Sequence, residues 1–486
     1  MMIATKKIAV RAIAVCATGL FVHISAQAVI PIQHWTQASG AQVYLIESPA
    51  IAMVDVQLDF DAGSRRDPPG QAGLASLTAS LLEKGVRAAG DALPSNQQGP
   101  QDRLGRTAGA AAPLGGSAVR EATSVGATAL DENALGEAWA DLGAQFGASA
   151  SNDRMSFSLR SLTDPALLDQ AVALAARQIA EPAYPDAVWQ RERQRLQAAL
   201  KESYTRPGSV AGRAYSQALY GQHPYGYEMT EATLARIGVA DFRAAHGAGV
   251  TACRARISMV GAVTRQQADA LAMRLLSRLP AVPCASLGPL PVVPEVVSLA
   301  QAQEKSIPFD SAQAHVLIGQ PGIKRADPDF LALTVGNYIL GGGGFVSRLT
   351  NEVREKRGLT YGVSSSFSPG LHAGSFTVGL QTRPDQTAQA VQIARQVISD
   401  FVASGPTPAE LQAAKDNLVG GFALRLDSNR KLLGNLASIA WNDLPLDYLD
   451  TWTQQVDKLT VADVKAAFAR KLQPDKMVTV ILGAAP

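Results

Sequence analysis

The chain is poor in the residues that hold metals and build covalent frameworks. Its 486 residues include six histidines and three cysteines. No two of the histidines, at 23, 34, 223, 246, 315 and 372, are spaced to share one helical turn. Zinc takes imidazole, thiolate or carboxylate donors, so no local histidine motif supplies a metal site. His223 lies in Gly-Gln-His-Pro-Tyr-Gly, where a turn histidine with satisfied hydrogen bonds is expected. An excess of one charge is also missing. The 44 basic and 42 acidic residues give a formal +2, which argues against nucleic acid or an anionic membrane as a partner. Beyond the N-terminal segment, no apolar stretch is long enough to span a bilayer.

That N-terminal segment reads as a secretory signal. Lys6, Lys7 and Arg11 form a basic start, residues 8–22 are apolar, and Ala26-Gln27-Ala28 is a small-x-small cleavage site. Cleavage after Ala28 gives a periplasmic or secreted protein. It removes three positive charges, which turns +2 into −1. Two cysteines remain, Cys253 and Cys284. They can pair in an oxidising compartment or persist as buried thiols.

What is present is a repeat. Residues 237–263 match residues 459–485 at a constant offset of 222. Val239-Ala240-Asp241 aligns with Val461-Ala462-Asp463, and Gly261 with Gly483. Each copy reads as a helix followed by a buried strand ending at glycine. Nearer the start of each half, Gly63-Ser-Arg-Arg-Asp-Pro68 resembles Gly322-Ile-Lys-Arg-Ala-Asp-Pro328, at an offset of 259. The first half is therefore longer by the difference, 37 residues. Residues 88–129, rich in Gly, Ala, Gln, Ser and Pro, read as a flexible insertion that holds the surplus. The domains are then a signal peptide at 1–28, an N-terminal repeat at 29–285, a Pro- and Val-rich linker at 286–298 and a C-terminal repeat at 299–486. Strands are expected at 43–47, 54–60, 155–160 and 314–319. Charged helices are expected from Asp186 to Tyr204 and from Pro408, with Thr407 as N-cap.

Residues 73–85 read Gly-Leu-Ala-Ser-Leu-Thr-Ala-Ser-Leu-Leu-Glu-Lys-Gly. This resembles the segment of the M16 (pitrilysin/insulinase-type) zinc peptidases that carries His-x-x-Glu-His, normally Gly-Leu-Ala-His-Phe-Leu-Glu-His-Met-x-Phe-Lys-Gly. Ser76 and Ser80 stand at the histidine positions and Ala79 at the catalytic Glu. A serine hydroxyl is a poor substitute for a zinc ligand. The family's third ligand, a Glu on a later helix, falls on Ala199. Glu192 and Glu202 nearby read as solvated helix-face residues, and Glu83 alone makes no site. The second half keeps its signature. Ser347-Arg348-Leu349, then Val353-Arg354-Glu355 and Gly358-Leu359-Thr360-Tyr361, resemble the M16 C-terminal motif.

The resemblance implies an α+β fold of two homologous repeats, each an antiparallel-rich sheet packed with helices. It implies no metal in this chain. It assigns Arg354 and Tyr361 to substrate binding and oxyanion stabilisation in a site completed by another subunit. From the residues alone, Arg354 capping a helix and Tyr361 packing in a strand is the alternative. Gly341–Gly344 resembles the substrate-guiding glycine loop of the non-catalytic subunit of mitochondrial processing peptidase. The implied function is the metal-free subunit of a heteromeric M16B peptidase. Its partner would carry His-x-x-Glu-His and the zinc. Extended peptides would be held partly by strand addition, with the strand around residues 146–158 at the matching edge. A non-enzymatic scaffold, or a peptide-binding or chaperone-like homologue, is the alternative function.

Overall fold

A computed structural model of the chain describes residues 30–88 and 128–483. The expected signal segment, 1–28, and residues 89–127 of the expected insertion lie outside the described residues.

The first half contributes β1 (Gln33–Thr36), β2 (Gln42–Glu47), β3 (Met53–Phe60), β4 (Gly85–Val86), β5 (Leu130–Asp131), β6 (Gln145–Ala150), β7 (Met155–Leu162) and β8 (Arg256–Gly261). The second contributes β9 (Gln303–Ile307), β10 (Ala314–Pro321), β11 (Val363–Ser368), β12 (Ser375–Thr382) and β13 (Val478–Leu482). One sheet runs β1-β2-β8-β3-β7-β6, the other β9-β13-β10-β12-β11. The orders superpose once β1 is set aside. In each, one parallel pair, β2 with β8 or β9 with β13, joins an otherwise antiparallel sheet. The repeat detected at an offset of 222 is the helix Val239–Gly249 with β8, and the helix Val461–Lys471 with β13.

Each sheet buries one face against its own helices. Val54, Val56, Leu58 and Phe60 of β3 enter the first core with Phe157 and Trp189; Val316, Ile318, Phe376 and Val378 enter the second with Phe401 and Phe468. The opposite faces are covered by an exchange. The helix Pro207–Tyr220, from the first half, packs on β10 and β13 of the second through Ala211, Tyr215 and Leu219. The helix Asn429–Trp441, from the second half, packs on β3 and β8 of the first through Leu433, Leu436 and Ile439. The two helices start 222 residues apart, so they are copies of one repeat element, and each half covers the other's sheet.

Three further features fix the site. Cys253 and Cys284 are paired, with Cα atoms 5.6 Å apart, which ties the end of the first half to its body. Residues 287–302, between Ser286 and β9, form no helix or strand and are held by side chains: Arg66 donates to Pro291 O, and Glu295 pairs with Lys324. The excursion after residue 86 leaves and returns at adjacent points, because Gly85 pairs with Asp131 and Val86 with Leu130. Among the described residues no helix is long and apolar enough to cross a membrane.

Candidate functional site

The degenerate motif forms the helix Leu74–Leu81. Asp67 starts it by accepting the N–H groups of Gly73 and Ala75 at 2.8 and 2.9 Å. Burial pushes the Asp67 carboxyl up to about 6, against the pull of those donors. Gly73 enters at φ 102°, a left-handed conformation that favours glycine. Leu74, Leu77 and Leu81 face the core, and Ala79 is 1% exposed among them. Ser76 and Ser80 are exposed, one turn apart on the outer face. Ser80 Oγ donates to Leu77 O at 3.0 Å. The face where two histidines would stand thus carries two hydroxyls, and the position of a catalytic Glu is filled by packing.

Ala199 is exposed on the helix Asp186–Ser203. The nearby carboxylates are engaged by arginines, Glu192 with Arg195 and Glu202 with Arg206. Among the described residues no group of three or more His, Cys, Asp or Glu could hold a metal ion. Zinc does not fit the side chains present at 76, 79, 80 and 199.

Glu83 follows on the same face, in the turn Leu82–Lys84, and has a use that the sequence does not signal. Its Oε1 accepts the backbone N–H of Ala148 on β6 at 3.0 Å. The expected edge segment, 146–158, is corrected here. A turn at 151–154 divides it, so that β6 alone is the edge and β7 lies inside.

In the second half the two signature arginines separate. Arg348 is structural. Its guanidinium makes two 2.7 Å bonds to the Glu410 carboxylate and also donates to Gly405 O. Those bonds hold the Glu410 pKa down at about 2. Arg354 ends a wide helical turn, Thr350–Glu355. Its ion pair is the neighbouring Glu355, at 3.3 Å, and its guanidinium stacks on the Phe345 ring, 4.6 Å from the centroid. Tyr361 lies outside any strand, since β11 begins at Val363. It is 86% exposed, and among the described residues its hydroxyl makes no hydrogen bond. It borders a cavity of about 430 Å³ whose walls include Gly208 and Ala211 of the exchanged helix and His315 and Gln381 of the second sheet. Arg354 and Tyr361 share no hydrogen bond, and both keep donors free.

The glycine run divides as well. A Cβ on Gly341 would lie 2.4 Å from Ser365 Oγ, and one on Gly343 would lie 2.6 Å from Tyr338 O. Gly342 meets Asn337 similarly, at 2.8 Å. These three are glycine because the chain packs on itself. Gly344, at φ 62°, faces open space, and the exposed Phe345 and Val346 follow it.

The expected turn histidine is satisfied on both nitrogens. His223 Nδ1 accepts Tyr225 N–H at 3.1 Å, and Nε2–H donates to Pro294 O at 2.9 Å. Beside it a polar hub that sequence reasoning missed joins the halves. Asp153 accepts from Arg65, the Tyr225 hydroxyl and Leu371 N–H. The Gly-Gln-His-Pro-Tyr-Gly turn marks one side of that hub, and nothing in the sequence marks Asp153.

Residues 236–418 match the family described as "Peptidase M16 inactive domain". An uncharacterized zinc protease of Mycobacterium leprae is 28% identical over 57% of this chain and 62% of its own length. The non-peptidase homolog YmxG of Helicobacter pylori is 32% identical over 33% of this chain and 37% of its own length. The chain thus spans less than two thirds of these curated relatives. The crystal structure of a peptidase M16 inactive domain from Pseudomonas fluorescens superposes with a TM-score of 0.80 at 32% identity, covering 94% of this chain and 98% of that one. The periplasmic protease PqqL of Escherichia coli shares the fold, with a TM-score of 0.73 at 19% identity over 99% of this chain and 49% of that one.

Proposed function

The chain belongs to the M16 peptidase family as a homologue of its inactive type, and we propose that it is the metal-free subunit of a secreted heteromeric M16B peptidase. The zinc-bearing partner hydrolyses extended peptides. This chain closes over that site and supplies Arg354 and Tyr361 to bind substrate and stabilise the oxyanion.

The observation that carries the reading is the contrast between the two halves. The metal positions are lost together, yet Tyr361 projects an unpartnered hydroxyl at 86% exposure. An aromatic ring left in water costs hydrophobic free energy, and Tyr361 recovers little of it by packing inside this chain. Its neighbour in the motif, Arg354, keeps most of a five-donor fork unspent. Donors held ready for a developing negative charge act chiefly on the transition state. The Cys253–Cys284 pair supports an oxidising compartment. The exposed Phe345 and Val346, beside Gly344, supply apolar surface for the partner or its substrate.

The test is reconstitution. The purified chain, mixed with a His-x-x-Glu-His homologue from the same source, is expected to form a stoichiometric complex. That complex should cleave a quenched peptide far faster than either chain alone. A chain that neither binds such a homologue nor changes its turnover sinks the reading. The scaffold alternative would then stand.

A further inference from the structure

β6 is one of the two edge strands of the first sheet, β1 being the other, and a sheet edge is where an extended polypeptide adds. In an antiparallel pair, the backbone groups of alternate residues face the neighbouring strand and the others face away. Ala148 gives its N–H to Glu83 and not to β7, so Ala148 faces outward. Phe146 and Ala150, two residues to either side, share that direction. The central outward donor of the edge is thus already bonded to a side chain of the same molecule.

The contact is built into the local structure. Glu83 continues the stripe of Ser76 and Ser80, and its turn packs directly beside β6. Gly147 lies under the carboxylate; a Cβ there would sit in ordinary contact with Glu83 Oε1, at 3.7 Å, and closer to Ser158 Oγ, at 3.3 Å. The M16 pattern carries Phe where this chain has Glu83, and a phenyl ring has no oxygen to accept an N–H and offers at most a weak contact to its face.

We propose that Glu83 closes the β6 edge to extended polypeptide, so that this chain does not add a substrate strand beside β6. An incoming strand must offer its own carbonyl to Ala148 N–H. To do so it must displace a carboxylate, whose charge-assisted hydrogen bond is stronger than the amide bond that replaces it. The closure is a property of the chain alone. Only its consequence, that substrate is held at the partner's edge, rests on the heteromeric reading.

The test uses the full purified chain as wild type, Glu83→Ala and Glu83→Gln. Alanine leaves Ala148 N–H without its acceptor. Glutamine keeps a carbonyl that can accept it. Hydrogen exchange of the peptide spanning 145–150 is expected to speed up in Glu83→Ala and to stay near wild type in Glu83→Gln. A fluorescein-labelled peptide of alternating Val and Thr, read by anisotropy, is expected to bind Glu83→Ala more tightly than wild type by roughly tenfold or more, the scale of one charge-assisted hydrogen bond. Equal exchange in wild type and Glu83→Ala overturns the contact. Equal peptide affinity overturns the closure. Neither readout involves a partner or zinc, so both stand whether or not the complex forms.

Discussion

The Tyr215 hydroxyl, on a helix of the first half, lies 3.2 Å from the Phe376 carbonyl oxygen, on a strand of the second, with Thr377 Oγ1 at 3.0 Å. The bond crosses the exchange of helices that joins the halves, and it depends on a glycine. A Cβ on Gly319 would lie 2.0 Å from Phe376 O and 2.1 Å from the Tyr215 hydroxyl. Gly319→Ala is therefore expected to force the helix off the sheet, at a cost of ~1–3 kcal/mol. Tyr215→Phe, which removes one hydroxyl, should cost about 1 kcal/mol. Urea unfolding of the two variants checks this. Gly319→Ala no less stable than Tyr215→Phe would mean that the close approach is not real.

Zinc restoration separates ligand loss from packing loss. Ser76→His with Ser80→His places two imidazoles on an exposed face, so stability should hold while zinc binds weakly. Adding Ala199→Glu is expected to raise zinc affinity by roughly tenfold or more, as a third ligand completes the set. Adding Ala79→Glu should lower the melting temperature, because that position is 1% exposed among leucines and a carboxylate there is buried without a partner. Zinc titration and thermal melts read both effects. If Ala199→Glu adds nothing to zinc affinity, the third-ligand position is misplaced.

The excursion between Val86 and Leu130 leaves and returns through paired residues. A short turn can join those ends, and loop closure depends only weakly on loop length. Deleting residues 90–126 is expected to shift the melting temperature by no more than a few degrees. A large loss would show that the excursion carries part of the core.

The fold was legible where a physical period repeats. The offset of 222 gave both helix–strand units, and Thr407 caps the helix Pro408–Gly420 through Glu410 as expected. The expected strands stop short by one or two residues, at Gln42, Met53 and Leu162, because a polar, half-buried or exposed end residue carries no pattern. The exchanged helices escaped notice. Pro207–Tyr220 and Asn429–Trp441 keep only scattered identities, such as Gly212 with Gly434 and Ser216 with Ser438. Amphipathicity shows that a helix covers something; it does not show whose sheet. Glu83 carries no signal for a related reason, since a lone carboxylate acquires meaning only when the fold brings Ala148 beside it.

His246 predicts how stability depends on pH. It is 8% exposed, and Nε2–H donates to Ile179 O at 2.8 Å. Burial first, with Arg87 nearby as a smaller cause, lowers its pKa from 6.5 to about 4. A histidine with a depressed folded pKa stabilises the fold while neutral. Its contribution is complete above pH 6.5 and is lost as pH falls through about 4. At about 1.4 kcal/mol per unit, the loss is on the order of 3 kcal/mol. Glutamine can keep the donor without titrating. His246→Gln is therefore expected to be less stable at pH 7, through lost ring packing, yet flatter between pH 7 and 4. Parallel urea midpoints for both proteins across that range would refute the assignment.

Arg354 and Tyr361 decide between an assisting subunit and a scaffold. Both are accessible, and neither is held by a strong internal partner. Replacing them should therefore leave the fold and the assembly intact. In a reconstituted complex, Tyr361→Phe removes only a hydroxyl. If that hydroxyl meets the developing oxyanion, kcat should fall by roughly 10²–10³ while the partner's zinc content and the complex affinity stay unchanged. Arg354→Ala should act in the same direction. Arg354→Lys should rescue poorly, because an ammonium lacks the guanidinium's planar fork. Arg348→Ala provides the contrast. It breaks the bidentate bond to Glu410, so it should lower the melting temperature instead. Steady-state cleavage of a quenched peptide, run beside thermal melts, separates the two patterns. Near-normal kcat in both Tyr361→Phe and Arg354→Ala would leave this chain as a scaffold that keeps the motif without using it.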